Sequence, residues 1–127
     1  MSYNYDEQNI FAKILRGEIP NSTVAETPHT LAFRDIAPQA PTHIIVIPKG
    51  PYVNFDHFSA QATDEELVDF ARVAAKICQD EGLAQSHDGN GYRAISNAGA
   101  HGGQEVPHYH LHLLGGRPIG PMVVRSA

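Results

Sequence analysis

Three of the eight histidines in this chain lie at every second position of one apolar segment, HYHLHLLGG, where they are His108, His110 and His112. Alternation of this kind is typical of a β-strand, because successive side chains point to opposite faces of a sheet. We therefore predict that the three imidazoles line one face and that the residues between them pack into a core. Since a buried polar face is costly, the histidine face should meet a polar ligand, a metal or water.

Metal binding is one chemistry that this face could support, because neutral imidazole is a common zinc ligand. On a strand, however, the backbones of His108 and His112 are about 13 Å apart, so a third ligand would have to come from elsewhere, for example His43. The chain has a single cysteine, Cys78, and no carboxylate at ligand spacing beside the histidines. The ligand inventory thus favours metal chemistry less than the alternative, and we predict no metal.

The alternative is covalent and acid–base chemistry on a phosphate, for which an imidazole with a pKa near neutrality suits. The loop NAGAHGGQE runs directly into the histidine segment. Its Gly102 and Gly103 allow backbone N–H groups to approach an anion, and Asn97 adds an amide donor. A central histidine with a neighbour on each side could attack phosphorus while the neighbours fix its tautomer and stabilise charge.

The composition is that of one ordinary globular domain of 127 residues, with a formal net charge of −5. This charge argues against a nucleic-acid-binding surface. The single cysteine, the lack of a signal-peptide pattern at the N-terminus and the lack of a long apolar run predict a cytoplasmic protein that does not enter a membrane. Cys78 should be a buried, inert thiol.

The remaining pattern predicts an α+β fold with an antiparallel sheet. A short helix should follow the N-cap Asn9 and end at Gly17, and a long helix should run from Thr63 to Glu81 behind a capping box. A long connection is predicted from Gly50 to about Ala62. The predicted strands are STVAE, TLAFRD, HIIVIPKG, YRAISN and the histidine segment.

The histidine segment fits the His-φ-His-φ-His-φ-φ pattern of the histidine-triad family, in which φ is apolar. Three blocks resemble the Hint branch of that family in order and spacing, so the resemblance extends from Asn9 to about Val123. They are IFAKILRGEIP, LAFRDIAPQAPTHIIVIPK and GYRAISNAGAHGGQEVPHYHLHLLGGRPIGPM.

The resemblance implies a single HIT-like domain over residues 1–127, with a five-stranded antiparallel sheet, one long helix and one short helix. It implies a homodimer in which two sheets join into one of ten strands, with the tail 115–127 near the partner. Residues 1–8 are expected to be a flexible N-terminus.

The activity implied by the resemblance is hydrolysis of the P–N bond of purine nucleoside 5′-phosphoramidates. The substrates are conjugates of AMP or GMP, of the amine or the aminoacyl and lysyl type, and the products are a nucleoside monophosphate and an amine. By resemblance, His110 is the nucleophile that carries the nucleotidyl intermediate, His108 and His112 flank it, and His43 completes the relay. No cofactor is implied.

The substrate-binding residues are also carried over by resemblance, and they divide by the part of the nucleotide that each would meet. A carboxylate can accept from both ribose hydroxyls, and aromatic rings offer flat apolar faces to a base. Purely structural roles remain open for these residues: core packing for the aromatic and apolar ones, a turn for the carboxylate, and a structural position for His43. The expected set is Asp35 for the ribose; Ile10, Phe11, Phe33 and Ile36 for the base; and Asn97, Gly103, Gln104 and Glu105 for the phosphate.

Glu105 departs from the relatives that carry a serine at this place. A carboxylate repels a phosphate, so we predict that Glu105 meets a cationic leaving amine instead. Three other functions stay open at this point: dinucleoside polyphosphate hydrolysis, nucleotide sensing with vestigial activity, and metal-dependent hydrolysis.

Overall fold

The computed structural model describes residues 3–124, and five strands of this part form one antiparallel sheet. The strands are β1 (Thr23–Glu26), β2 (Thr30–Arg34), β3 (Thr42–Pro48), β4 (Tyr92–Ile95) and β5 (Leu111–Gly115). Their order across the sheet is β1-β2-β3-β5-β4, so β3 and β5 lie at the centre. The α+β fold with a five-stranded antiparallel sheet is therefore confirmed.

Four α-helices accompany the sheet, where the sequence predicted two. Within residues 3–124 they are α1 (Ile10–Leu15), α2 (Phe55–Gln61), α3 (Asp64–Asp80) and α4 (Gly99–Gly102), and a 3₁₀ turn lies between α3 and α4 at Gln85–His87. The long connection predicted from Gly50 to about Ala62 contains α2, a helix that the sequence did not predict. Asn54 caps α2, because its side chain accepts from the backbone N–H of His57.

The strand that was predicted to carry all three histidines begins later than expected. β5 starts at Leu111, which pairs with Val46 of β3, so His108 and His110 precede the strand and only His112 lies within it. In place of a ladder bond, the side chain of His108 reaches the carbonyl of Pro48 at 2.8 Å. The predicted alternation of faces nevertheless holds, since Tyr109 and Leu113 are buried in the core.

The long helix α3 covers one face of the sheet, and we call this side the helix face. Thr63 and Glu66 form the predicted capping box, in which each side chain accepts from the other residue's backbone N–H. Cys78 on this helix is buried, as predicted. The buried residues of this core are Ala32, Ile44, Val46, Phe58, Phe70, Val73, Ile77, Cys78, Tyr109 and Leu113.

The opposite side of the sheet, which we call the cleft face, has only the short helix α1 against it. Asn9 caps this helix by accepting from the backbone N–H of Ala12, as predicted. The core here is smaller and consists of Phe11, Leu31, Phe33, Ile45 and Ile47. Because six helical residues cannot cover the face, the part next to His110 and His112 remains accessible as a cleft.

Both ends of the described chain are held by hydrogen bonds. Tyr3 donates to Asp56, and Tyr5 lies within hydrogen-bond distance of His108; Met1 and Ser2 lie outside the described residues. After β5, the Arg93 guanidinium donates to the carbonyls of Gly120 and Pro121. Residues 125–127 of the predicted tail lie outside the described part.

Among residues 3–124, no helix combines the length and the apolar composition that crossing a membrane requires.

Candidate active site

A cleft of about 490 Å³ opens on the cleft face beside the histidines. Its walls come from α1, the segment that follows it, the end of β2 and the glycine-rich loop before the histidine segment. Ten of the thirteen predicted site residues line it: His110 and His112 of the four predicted catalytic histidines, and eight of the nine predicted substrate-binding residues, namely Ile10, Phe11, Phe33, Asp35, Ile36, Asn97, Gly103 and Glu105.

His110 is nearly buried, with 6% of its surface exposed, and its tautomer is fixed by the backbone. Its Nδ1 lies 2.7 Å from the carbonyl oxygen of His108. Because a carbonyl oxygen only accepts, Nδ1 carries the proton and Nε2 of the neutral ring keeps its lone pair. The ring of Phe11 meets the His110 ring edge to face, with centroids 5.0 Å apart. The arrangement suits a nucleophile with its lone pair on Nε2.

His43 and His112 are joined ring to ring across the two central strands. The backbone N–H of Gln39 donates to His43 Nδ1 at 3.1 Å, so Nε2 of neutral His43 carries the proton. His43 Nε2 lies 2.9 Å from His112 Nδ1 and therefore donates to it. In the neutral form, His112 then carries its own proton on Nε2. The predicted association of His43 with the triad is thus present as a hydrogen bond.

His108 does not line the cleft but stands behind His110, with none of its surface exposed. Its Nε2 donates to the carbonyl of Pro48 at 2.8 Å, and its Nδ1 lies 2.5 Å from the hydroxyl of Tyr5. Both ring nitrogens are therefore satisfied inside the protein. His108 is placed to support its neighbour rather than to touch a substrate.

Burial keeps the triad uncharged at neutral pH. Desolvation, followed by the neighbouring charge of His110, lowers the pKa of His108 to about 4. Desolvation and the charges of His110 and His43 likewise lower the pKa of His112 to about 4. Desolvation also lowers the pKa of His110, although the His108 carbonyl and the charges of Asp35 and Glu105 oppose the shift. A neutral His110 retains the lone pair that nucleophilic attack needs.

The glycine-rich loop forms one wall of the cleft. Gly103 follows the single turn of α4 with a φ of 74°, a left-handed conformation that glycine adopts without strain. Asn97, Gly103 and Glu105 line the cleft, and Glu105 is exposed.

Gln104 is the member of the predicted phosphate set that the structure places elsewhere. Its amide nitrogen donates to the carbonyls of Val53 and Val106, at 2.6 and 3.0 Å, and its amide oxygen accepts from the N–H of Gly99. The side chain does not line the cleft. Because its polar atoms already have partners, Gln104 holds the loop in shape and does not point at a ligand.

The residues predicted for the base and the ribose line the same cleft beside the histidines. Phe11 and Phe33 are buried and meet edge to face at 5.5 Å, while Ile10 is partly exposed and Ile36 is 96% exposed at the rim. Asp35 accepts from the N–H of Ala37 through Oδ1 at 2.8 Å. Its other oxygen lies 3.4 Å from His43 Nε2. The aromatic pair thus belongs both to the core and to the cleft wall.

Several lining residues were not predicted from the sequence. Ile45 could have been found, because it lies two positions after His43 on β3 and therefore shares its face. Ile14 lies on α1, and the others come from loops and a strand end, where spacing carries no signal. The unpredicted set is Ile14, Ile19, Pro20, Asn21, Arg34, Ala37, Gln39, Ile45 and Val106.

Asp35, His43 and His112 bring one ligand atom each within 4.8 Å of one another, which is the spacing of a metal site. Two imidazoles and a carboxylate would suit zinc or iron. The nitrogens that face each other, however, are engaged in the hydrogen bond between His43 and His112, and His43 Nδ1 accepts from the backbone. A metal would have to replace these bonds, so the donor set fits an imidazole relay better.

The family profile described as the HIT domain matches residues 16–119. The purine nucleoside phosphoramidase of Escherichia coli (strain K12) is 50% identical over 120 residues, which are 94% of this chain and 97% of the relative. The chain belongs to the HIT domain family. An uncharacterized HIT-like protein of Azospirillum brasilense is 51% identical over 126 residues, 99% of this chain and all of the relative.

Solved structures of HIT proteins have the same fold. A HIT family hydrolase from Clostridium thermocellum has a TM-score of 0.77 and 35% identity, covering 94% of this chain and 99% of that one. A histidine triad protein from Clostridium difficile has a TM-score of 0.78 and 36% identity, covering 94% of this chain and all of that one. The resemblance drawn from the sequence is confirmed, and the chain is an enzyme of the HIT hydrolase type.

Proposed function

We propose that this HIT enzyme hydrolyses the P–N bond of purine nucleoside 5′-phosphoramidates, releasing a nucleoside monophosphate and an amine. The observation that carries the proposal is the state of His110. Its Nδ1–H is held by the His108 carbonyl, its pKa is lowered, and it borders a cleft that Phe11, Phe33 and Ile45 also line. The E. coli phosphoramidase, at 50% identity, supports the substrate class.

In the first step, the lone pair on His110 Nε2 forms a bond to phosphorus while the P–N bond to the amine breaks. The electron pair of the broken bond goes to the amine nitrogen, which takes a proton from His112. The nucleotidyl-His110 that results is cationic. Its remaining proton stays on Nδ1, where the His108 carbonyl stabilises the charge at 2.7 Å.

In the second step, a water oxygen bonds to phosphorus and the bond to His110 Nε2 breaks, so that His110 becomes neutral again. One proton of the water passes to His112, which is restored for the next cycle, and the other stays on the phosphate. In the resting enzyme, before His112 takes up its second proton, the hydrogen bond from His43 Nε2 to His112 Nδ1 holds the His112 ring in one orientation.

His112 needs a second proton before it can serve as the acid, although its pKa is about 4 without a ligand. An anionic phosphoramidate beside the ring favours the charged imidazolium and raises this pKa. Substrate binding therefore supplies the charge that makes His112 a proton donor. Asp35, whose charge already raises the His112 pKa, acts in the same direction.

The remaining predicted residues are proposed to hold the nucleotide. Asp35 would accept from the ribose hydroxyls with the oxygen that faces His43, while Ile10, Phe11, Phe33 and Ile36 surround the base. Asn97 and the N–H of Gly103 would meet the phosphate, and Glu105 a cationic leaving amine. Gln104 keeps this loop in place through its bonds to Val53 and Val106. We propose no cofactor and no metal.

We also propose that the enzyme is a cytoplasmic homodimer. Within residues 3–124, the outer edge of β4 pairs with no other strand, and Tyr92 and Ala94 on it are exposed. An open strand edge of this kind is a natural place for a second sheet to add. The tail that follows Gly115 lies near this edge, because Arg93 of β4 binds its carbonyls.

The test is mass spectrometry and AMP release with an adenosine 5′-phosphoramidate, for the wild-type protein and for His110→Ala, each with and without EDTA. His87→Ala is the matched control, because His87 is exposed on the 3₁₀ turn and does not line the cleft. We expect an adenylyl adduct on His110 and AMP release that EDTA does not change. Adduct and AMP release should both be lost only in His110→Ala.

Each rival function has its own signature in this experiment. Binding without AMP release would indicate a nucleotide sensor, and release abolished by EDTA would indicate a metal at Asp35, His43 and His112. Faster cleavage of a diadenosine polyphosphate than of the phosphoramidate would indicate the polyphosphate hydrolase. Any one of these three results would overturn the proposal.

A further inference from the structure

The segment ahead of α1 brings a hydroxyl to the buried histidine of the triad. Tyr5 Oη lies 2.5 Å from His108 Nδ1, and the two rings meet edge to face with centroids 5.5 Å apart. The other ring nitrogen, His108 Nε2, lies 2.8 Å from the carbonyl of Pro48, which only accepts. Because a neutral imidazole has one N–H, that proton is on Nε2. His108 Nδ1 is therefore the acceptor and Tyr5 is its donor.

His108 is joined in turn to the proposed nucleophile. The carbonyl oxygen of His108 accepts from His110 Nδ1 at 2.7 Å, and the ring of Phe11 touches both imidazoles edge to face. The ring of His108 is fully buried, so no water can take the place of a missing donor at Nδ1. A ring that lost this donor would tilt or change its tautomer, and the residue's carbonyl would shift with it.

We propose that Tyr5 is a positioning residue for the reaction: its hydroxyl fixes the ring of His108 and, through the His108 carbonyl, the orientation of His110. The kinetic part of this inference rests on the proposed function, while the structural part does not. Tyr5 does not line the cleft, so it has no direct contact with a substrate bound there.

Tyr3 offers a matched control in the same segment. Its hydroxyl donates to Asp56 of α2 at 2.6 Å, and its ring lies 5.0 Å from that of His57. Tyr3→Phe therefore removes one hydrogen bond that anchors the segment, as Tyr5→Phe does, without removing a contact to the triad. Any effect of loosening the segment should appear in both variants.

The experiment compares wild type, Tyr5→Phe and Tyr3→Phe in steady-state hydrolysis of the adenosine 5′-phosphoramidate and in nitrogen-15 NMR of labelled histidines. For Tyr5→Phe we expect kcat to fall roughly tenfold, the order of effect that an unsatisfied buried acceptor produces, with KM unchanged. The Nδ1 signal of His108 and the Nδ1–H signal of His110 should both shift. Tyr3→Phe should match wild type in both readouts.

Three outcomes would overturn the inference: wild-type kcat in Tyr5→Phe, a fall in kcat with unchanged His108 and His110 signals, or equal effects in both variants. If the wild-type protein does not turn the substrate over, the proposed function fails, yet the histidine signals still test whether Tyr5 orients the triad.

A second variant keeps the test decisive if Tyr5→Phe does not fold. Replacing Tyr5 by 3-fluorotyrosine keeps the ring and the hydroxyl and makes the phenol a stronger donor. The His108 Nδ1 signal should then move toward the more strongly hydrogen-bonded position. An unmoved signal would mean that the hydroxyl does not bind His108.

Discussion

The two faces of the sheet are built from alternate residues of the same strands, yet they meet opposite demands. The helix face is covered by the 17 residues of α3 and is packed almost entirely with apolar side chains. The cleft face has a six-residue helix, a smaller apolar cluster and four histidines, three of them buried. The helix face stabilises the fold through apolar packing. The cleft face is less stabilising, because it buries neutral imidazoles next to a cleft.

The largest effect on activity should come from the cleft face and should be accompanied by only a small loss of stability. His110→Ala is expected to reduce phosphoramidate turnover by roughly 10⁴-fold or more, because it removes the group that forms the covalent intermediate. Its free energy of unfolding should fall by less than that of a core variant such as Ile44→Ala, since the change also removes a buried polar ring while it leaves a cavity and the His108 carbonyl without its donor. Turnover and urea unfolding, measured on the same sample, test this. A stability loss as large as that of a core mutation would contradict the proposed difference between the two faces.

Neighbouring isoleucines on β3 allow a direct comparison of the faces. Ile44 packs in the core of the helix face, whereas Ile45 lines the cleft. Each change to alanine should cost about 2–5 kcal/mol of unfolding free energy, because each leaves a buried cavity. KM should rise only in Ile45→Ala. Equal KM values in the two folded variants would show that Ile45 does not help to hold the base.

The pH dependence of stability should arise on the cleft face. His108 titrates near 6.5 in the unfolded chain and at about 4 in the folded protein. The folded state therefore binds fewer protons between these values, so stability is full above about pH 6.5 and falls as the pH drops toward 4. For this fully buried ring, the loss of unfolding free energy amounts to about 3 kcal/mol.

Urea unfolding at about pH 7.5 and about pH 4.5 measures this loss, and His108→Asn serves as the comparison. The variant should be less stable than wild type at the higher pH but should show a smaller change between the two conditions. If the stability of His108→Asn falls with pH as steeply as that of wild type, the pH dependence arises from other groups.

The smallest effect concerns the exposed rim of the cleft. Glu105→Gln should lower the preference for a cationic leaving amine over a neutral one by roughly two- to fivefold at low salt, since an exposed charge pair contributes little. Added salt should reduce the difference further. Competing lysyl and neutral alkyl phosphoramidates in one reaction would measure the preference, and an unchanged ratio would remove Glu105 from amine recognition.

The sequence predicted the fold where periodic patterns were long enough to carry it. The capping box at Thr63 and the apolar stripe behind it located α3, and alternation located the strands. The helix α2 was missed, because seven residues give fewer than two full repeats and FDHFSAQ follows no clear pattern. Its cap at Asn54 was a local signal, but a single asparagine is equally common in turns.

Within the site, the sequence predicted which residues border the cleft better than it predicted where their atoms point. Gln104 was assigned to the phosphate by its place in the loop, whereas its amide binds Val53 from a distant part of the chain. Tyr5 could not be found at all, since 103 residues separate it from His108. Contacts between residues so far apart in the sequence form only in the folded protein, so no local pattern of residues predicts them.

The way in which Arg93 binds the C-terminal tail determines how far the sequence of the tail can vary. Its guanidinium binds the tail through the carbonyl oxygens of Gly120 and Pro121, which every amino acid possesses. Recognition of this kind does not read side chains, so the tail sequence can vary at positions other than Gly116 and Gly120, where φ values of 92° and 98° favour glycine. A label added to the tail should therefore leave the anchoring intact as long as these two glycines are kept.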